Sequence, residues 1–340
     1  MAKKTKLKQK FADRLKDEFD FDVSALPAYV DQEGTDIIEA LIEEGHLVSR
    51  INVMEGVKGK ETIKLLDFDI ALQSAADCGK TPDGSVIFTG KDMEVKPVKV
   101  DLSFCSKDLN GTWGQLLLKM GKRAEKENLP LEAVLSSHVV RTGQKKNQDL
   151  MFNGDTASMN PDLVHYDGFV KNWKADVAMF EKEYNTAWSV SNAFQRMVDL
   201  ANLIPTELRD AGIEPEIICS RAIAQLVVNN IYNDKDYSAN LKVNRDGGEI
   251  SFELPTVAIT VRSYPQLSSG SGDGLDENAP DVFCVPYDLM FFGTDKQGDM
   301  EDFWLFYFEK EEKIYLGAEW ASGIQYVRSK YFGRIVCPSS

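Results

Sequence analysis

Val98, Val100, Leu102 and Phe104 alternate with Lys99, Asp101 and Ser103. A period of two places the apolar side chains on one face, which predicts a half-buried strand. Short runs at 50–54 and 62–68 predict further strands, and Ala75-Ala-Asp-Cys-Gly-Lys-Thr-Pro-Asp-Gly84, between them and the 98–104 run, is rich in turn residues. The pattern over 48–105 therefore predicts a long two-stranded excursion with a turn-rich tip. Two strands alone are marginal in water. The excursion needs a surface to lie on, such as another subunit. The period then changes. Residues 109–120 predict one helix, and Pro130 opens another whose Leu131, Val134, Leu135 and His138 share a face. That pattern fades into Arg141, Lys145 and Lys146, and the helix is expected to stop before Asn153-Gly154-Asp155. Asn and Gly tolerate left-handed backbone, and Asp can cap the next element.

The second half mixes both periods. Residues 176–203 predict a long amphipathic helix stopped by Pro205, residues 216–219 a short buried strand, and Ser220 the N-cap of a helix over 221–232. Val257, Ile259 and Val261 predict a strand, and 268–274 a Ser/Gly loop. The uncharged run Phe303-Trp-Leu-Phe-Tyr-Phe308 must be buried, because exposed it would be an aggregation hazard. A turn at 309–313 and strands at 314–316 and 324–327 complete an α+β reading.

Composition changes this picture little. The chain has 340 residues, 43% hydrophobic and 27% charged, with a net charge of −15. It is ordinary for a folded protein of one to three domains, and neither fibrous nor wholly disordered. The longest apolar runs fall short of the roughly 18 residues of a membrane helix, and no signal-peptide core follows the basic start. Five scattered cysteines without a CxxC predict reduced thiols and no zinc site.

The charge is polarised. Lys3, Lys4, Lys6, Lys8, Lys10, Arg14 and Lys16 face one acid, Asp13, whereas 17–45 hold ten acids and no Lys or Arg. Ile37, Ile38, Leu41 and Ile42 have helical spacing ahead of Gly45. Residues 1–45 thus read as an arm. Its basic tip is either a solubilising tail or a contact for nucleic acid or an acidic neighbour. The acidity of the whole argues against phosphate-backbone binding by the general surface.

No enzyme motif stands out. Gly56-Val-Lys-Gly-Lys60 lacks Walker A spacing, and Gly270, Gly272 and Gly274 lack a dinucleotide loop's spacing. HExxH, EF-hand and GxSxG patterns are missing, and His46, His138 and His165 share no ligand spacing. His138 reads as a core histidine, and Asp299, Glu301 and Asp302 as a solvated turn that could alternatively hold a cation. Asn110-Gly-Thr112 is a glycosylation sequon without weight in a cytosolic chain. No cofactor is expected.

The order of parts nevertheless resembles the major capsid protein of tailed bacteriophages, the Hong Kong 97 fold. The resemblance rests on Asn147-Gln-Asp-Leu-Met-Phe-Asn-Gly-Asp155 followed by Asp167-Gly168-Phe169, and on Val282-Phe-Cys-Val-Pro-Tyr-Asp-Leu-Met-Phe-Phe-Gly-Thr294. In that family a long spine helix ends in a comparable Asn-Gly-Asp element, and the later segment usually carries Asn where this chain has Asp288. The resemblance implies an α+β capsid fold with an N-terminal arm at 1–45. It further implies a peripheral domain at 46–60, 106–175 and 303–340, with a spine helix near 131–153. The extended β-hairpin loop would take 61–105 and the axial domain 176–302. It implies a non-enzymatic shell protein of the virion, assembled in the host bacterial cytoplasm. Its partners would be copies of itself in hexamers and pentamers, a portal, a scaffolding or decoration protein, and packaged double-stranded DNA on the inner face, with no membrane. The assembly residues it suggests are the basic tip, Lys80, Asn153, Gly154 and Asp155. Some members crosslink a loop Lys to an Asn near the C-terminus. Lys80 and Lys91 could supply the amine, but 303–340 hold no Asn, so no such crosslink is expected. Only some 45 residues precede the first strand, which implies a separate scaffolding protein or none. The alternatives are an encapsulin-like cargo compartment and a soluble α+β enzyme.

Overall fold

The structure, a computed structural model, describes residues 47–70, 84–105, 131–233, 241–246, 249–268, 282–295, 302–308, 310–311 and 313–337. The arm, the 109–120 helix, most of the hairpin tip and most of the 268–274 loop lie outside them. The described residues fall into two units. One takes 98–105, 131–144 and 302–320, and the other takes the rest.

The larger unit opens with a 3-10 turn, Val48–Arg50, and β1, Asn52–Glu55. The predicted 50–54 strand thus starts two residues later, because Arg50 and Ile51 close backbone bonds to Leu47 and Val48. β2 (Lys60–Ile70) and β3 (Gly84–Glu94) pair antiparallel over their whole length, with Leu66 opposite Phe88. This corrects the expected ribbon. The partner of β2 is β3, and the alternating 98–104 segment lies in β4 (Lys96–Cys105), which pairs with a sheet strand, β13 (Lys313–Tyr326). Alternation marks a strand with one covered face, and the start of β4 has one: Val98 is buried and Val100 half-buried, while Lys99 and Asp101 between and beyond them are exposed. β3 has no such cover over its outer half, so it carries no period to read.

Helix α1, Leu131–Asn153, contributes residues to both units, and α2 is Phe169–Ala175. The long helix expected over 176–203 is replaced by strand β5, Phe180–Glu183, and a shorter helix α3, Ala193–Asn202. The reason lies between them. Asn192 accepts from the Ser189 amide at 2.9 Å and donates to the Ala187 carbonyl at 3.1 Å. Such side-chain bonds compete with helical ones. α4 is Thr206–Asp210, β6 Glu216–Cys219 and α5 Arg221–Asn233. Ser220 caps α5 as expected, its Oγ accepting from the Ile223 amide at 3.3 Å.

β7 (Asn244–Asp246), β8 (Glu249–Glu253), β9 (Thr260–Ser263), β10 (Val282–Val285) and β14 (Gly333–Val336) complete a seven-stranded sheet in the order β5-β14-β10-β6-β9-β8-β7. Val257 is not in β9 as predicted. Residues 254–259 make a tight turn closed by Ala258 to Leu254 and Leu254 to Ile259 backbone bonds, with Ala258 at φ 51. The central strands β6 and β10 are covered on both faces, consistent with their unbroken apolar runs. Met197, Leu200, Ile223, Val227 and Ile231 from α3 and α5 pack with Ile217, Cys219, Val282 and Cys284 on one face. Trp173 of α2 meets Phe283 on the other, at 4.9 Å between centroids. A second cluster joins Val57, Ile63, Met93, Val95, Ala321 and Val327 at the ribbon's base. β1 pairs in parallel with β11, Met290–Thr294, which pairs antiparallel with 322–326 of β13.

In the smaller unit β12, Asp302–Phe308, pairs antiparallel with 313–319 of β13, a single strand where the sequence suggested two. Phe303 and Leu305 are buried, but Phe306 and Phe308 are exposed. The expectation of full burial for 303–308 is thus corrected. Phe306 stacks on Tyr315 instead, ring centroids 5.5 Å apart.

Candidate assembly site

Lys3, Lys4, Lys6, Lys8, Lys10, Arg14, Lys16 and Lys80 lie outside the described residues. Asn153, Gly154 and Asp155 are described, and they meet Asp167 and Gly168 at one junction. α1 runs through Asn153, matching the spine helix near 131–153 that the resemblance implied and passing by one residue the stop read from the residue pattern, and the Gly154 amide still bonds back to Leu150 at 2.8 Å. The Gly168 amide then donates to the Gly154 carbonyl at 2.7 Å. Two backbones are thus pressed together where each has glycine. A Cβ on Gly154 would collide with the carbonyl oxygens of Tyr166 and Leu150. One on Gly168 would sit 2.5 Å from the Phe152 carbonyl oxygen. Left-handed backbone is not the reason: Gly154 is absent from the positive-φ glycines among the described residues, and Gly168 has φ −75. Close approach is.

Side chains then fasten the junction. Lys171 Nζ donates to Asp155 Oδ1 at 2.6 Å and to Asp167 Oδ1 at 2.7 Å. Asp155 also accepts from the Ala157 amide, and Asp167 from the amide and hydroxyl of Thr156, all at 2.8 Å. Asp155 caps a turn, therefore, and not a helix. Asn153 donates to Asp149 Oδ1 at 2.7 Å and to the buried Gln266 carbonyl at 2.8 Å. The hydrogen bonds of Lys171 and Ala157 hold the Asp155 carboxyl below the usual carboxylate range. Burial opposes charge on Asp167, but the bonds from Lys171 and Thr156 outweigh it and lower its pKa as well. Sequence reading missed Lys171. Its spacing four residues after Asp167, at the start of a helix, was the available signal.

A second feature is the outer half of the ribbon. Ile63 and Met93 are buried at its base, yet further out Phe88 is 75% exposed and Leu66, Val86 and Ile87 about half exposed. Val86 and Phe88 lie on one face of β3 and Ile87 on the other. Four large apolar side chains on a two-stranded element are thus open on both faces. The consecutive Val86-Ile87-Phe88 was the readable sign. No helix among the described residues is long and apolar enough to cross a membrane. None of the described His, Cys, Asp and Glu side chains gather in threes as a metal ion would need.

No protein-family model matches the chain, and no curated protein matches it in sequence. Solved structures do match in shape. The satellite phage P4 procapsid including size determination (Sid) protein superposes with a TM-score of 0.54 at 12% identity, over 89% of this chain and 98% of that one. The capsid of an empty GTA particle gives 0.55 at 8% identity, over 86% and 89%. Gordonia phage Cozz gives 0.53 at 9%, over 87% of each chain. This is the Hong Kong 97-type capsid fold. At such identities the likeness shows the fold and not the residues.

Proposed function

We propose that this protein is the major capsid protein of a tailed phage, closing in many copies into an icosahedral shell around double-stranded DNA. The observation that carries the reading is the ribbon: eleven-residue strands whose outer apolar side chains find no cover in their own unit, on a chain with a capsid fold. Burial of each such side chain by a neighbour stabilises assembly by roughly 1.5–3 kcal/mol. Residues 1–45 serve as the arm, and 46–60, 106–175 and 303–340 as the peripheral domain with α1 as its spine. Residues 61–105 belong to the extended loop, whose paired strands are β2 and β3, and 176–302 to the axial domain. Lys3 to Lys16 at the arm's tip and Lys80 at the ribbon's tip contact neighbours or DNA, while Asn153, Gly154 and Asp155 act in assembly by holding the spine's end. The shell needs no catalysis and no cofactor. It works with a portal and with scaffolding or decoration proteins, and it resides in the virion after assembly in the host cytoplasm.

Negative-stain electron microscopy and size-exclusion chromatography of the full chain test this. Closed shells of megadalton mass are expected, with nuclease-protected double-stranded DNA in particles from infected cells. A chain that stays monomeric or in small oligomers under all assembly conditions overturns the reading. Shells filled with an enzyme cargo favour a cellular compartment instead.

A further inference from the structure

The chain contains two Asn-Gly pairs, Asn110-Gly111 and Asn153-Gly154. Asn before Gly is the sequence in which a backbone most readily attacks its own side chain. Glycine puts no Cβ beside the attacking nitrogen and lets the chain turn into reach. The reaction needs no enzyme. The Gly nitrogen bonds to the Asn Cγ, the Cγ–Nδ2 bond breaks, and ammonia leaves with the proton that the Gly nitrogen gives up. Water then opens the resulting succinimide at either carbonyl. The product is aspartate, or isoaspartate with the backbone rerouted through the side chain.

Asn110-Gly111 lies outside the described residues. At Asn153-Gly154 the fold opposes every step. Asn153 is the last residue of α1, and the Gly154 amide closes a helical bond to the Leu150 carbonyl at 2.8 Å. Helical backbone turns the Gly154 nitrogen away from the Asn153 Cγ, and the bond keeps its proton engaged. Both hydrogens of Nδ2 are engaged too, donated to Asp149 Oδ1 at 2.7 Å and to the Gln266 carbonyl at 2.8 Å. Asn153 is only 7% exposed, which keeps water from it. The Gly168 amide, donating to the Gly154 carbonyl at 2.7 Å, fixes Gly154 from its other side.

The same contacts make the product a misfit. A carboxylate at 153 accepts hydrogen bonds and donates none. It would face the Asp149 carboxylate and the Gln266 carbonyl with no proton for either, in a place where unpaired acceptors and like charges are costly. Isoaspartate further adds a carbon to the backbone, at a junction with no room for one on Gly154.

We propose that Asn153-Gly154 is a latent deamidation site, sealed while the end of α1 is docked against the Gln266 segment and open in any chain where that end is unwound. Once it has reacted, the junction cannot re-form, and the chain is barred from the native fold. Subunits that stay unfolded are thus removed from use by their own chemistry. The inference concerns a single chain and does not rest on the capsid reading.

The test is incubation of the full-length chain at mildly alkaline pH, in buffer and in concentrated guanidinium chloride, with mass spectrometry of the peptides that hold Asn110 and Asn153. In guanidinium the two pairs should deamidate at similar rates, which calibrates the chemistry. In buffer Asn153 should react at least about ten-fold more slowly than in guanidinium. Asp149→Ala frees one Nδ2 hydrogen, so it should raise the Asn153 rate in buffer severalfold and leave the rate in guanidinium unchanged. After refolding of the guanidinium-aged chain and size-exclusion chromatography, isoaspartate at 153 should gather in the fraction that does not refold. Equal Asn153 rates in buffer and denaturant overturn the seal, as does an unchanged rate in folded Asp149→Ala. Isoaspartate at 153 spread evenly between the fractions overturns the bar to refolding. If Asp149→Ala does not fold, the comparison on the unaltered chain decides.

Discussion

Gly154 and Gly168 hold two backbones in hydrogen-bond contact, and one added carbon on either meets carbonyl oxygens that cannot rotate away. Gly154→Ala should therefore destabilise by about 1–3 kcal/mol, as overpacking does, and lower the thermal midpoint by several degrees in a melt. A melt that matches the wild type would mean the junction can yield. The clasp beside it should respond to acid. Asp155 and Asp167 titrate below their usual range when folded, so on acidification the unfolded chain takes up protons first. The stabilisation is complete above about pH 4 and is lost as the pH falls through the lowered values. Lys171→Met should flatten the acid limb of a pH–stability curve below about pH 4, with a modest effect because all three groups are more than a third exposed. An unchanged acid limb would remove the clasp's role. The sequence placed this junction correctly at Asn153-Gly154-Asp155 but suggested the wrong cause. Close approach between segments fourteen residues apart leaves no local pattern, whereas a left-handed glycine would.

Elements were legible where a covered face or an apolar stripe imposes a period, and illegible elsewhere. β6 and α5 were readable because the first lies within the seven-stranded sheet and the second packs against it. The 176–203 helix was misread because its apolar spacing was followed through Asn192, whose side chain bonds the Ser189 amide and the Ala187 carbonyl and so replaces helical backbone bonds. β3 was missed because its outer residues face solvent on both sides. That absence of period is itself the ribbon's property, and it makes a prediction. Phe88 contributes little to the subunit's own fold, so Phe88→Ser should move monomer stability by no more than about 0.5 kcal/mol. The same change should raise the protein concentration needed for shell formation by about ten-fold or more, from the loss of a buried Phe at each contact. Light scattering during assembly measures this, and normal assembly of the variant would show that the ribbon's apolar end is not an interface.

Across the whole chain, composition and total charge said little, while the order of elements carried the family resemblance that the capsid structures then matched in shape. The absence of Asn from 303–340 carries over to the particle. A shell boiled in detergent should run as one band near 38.1 kDa, and a ladder of multimers would show a crosslink of another kind. The pairing of β1 with β11 has a consequence in time. Asn52 sits opposite Phe291 and Glu55 opposite Thr294, so β11, the strand that β1 pairs with, is made only late in synthesis. Contacts of such sequence separation close late and slowly. A nascent chain on the ribosome therefore has its ribbon long before it has the sheet that roots it.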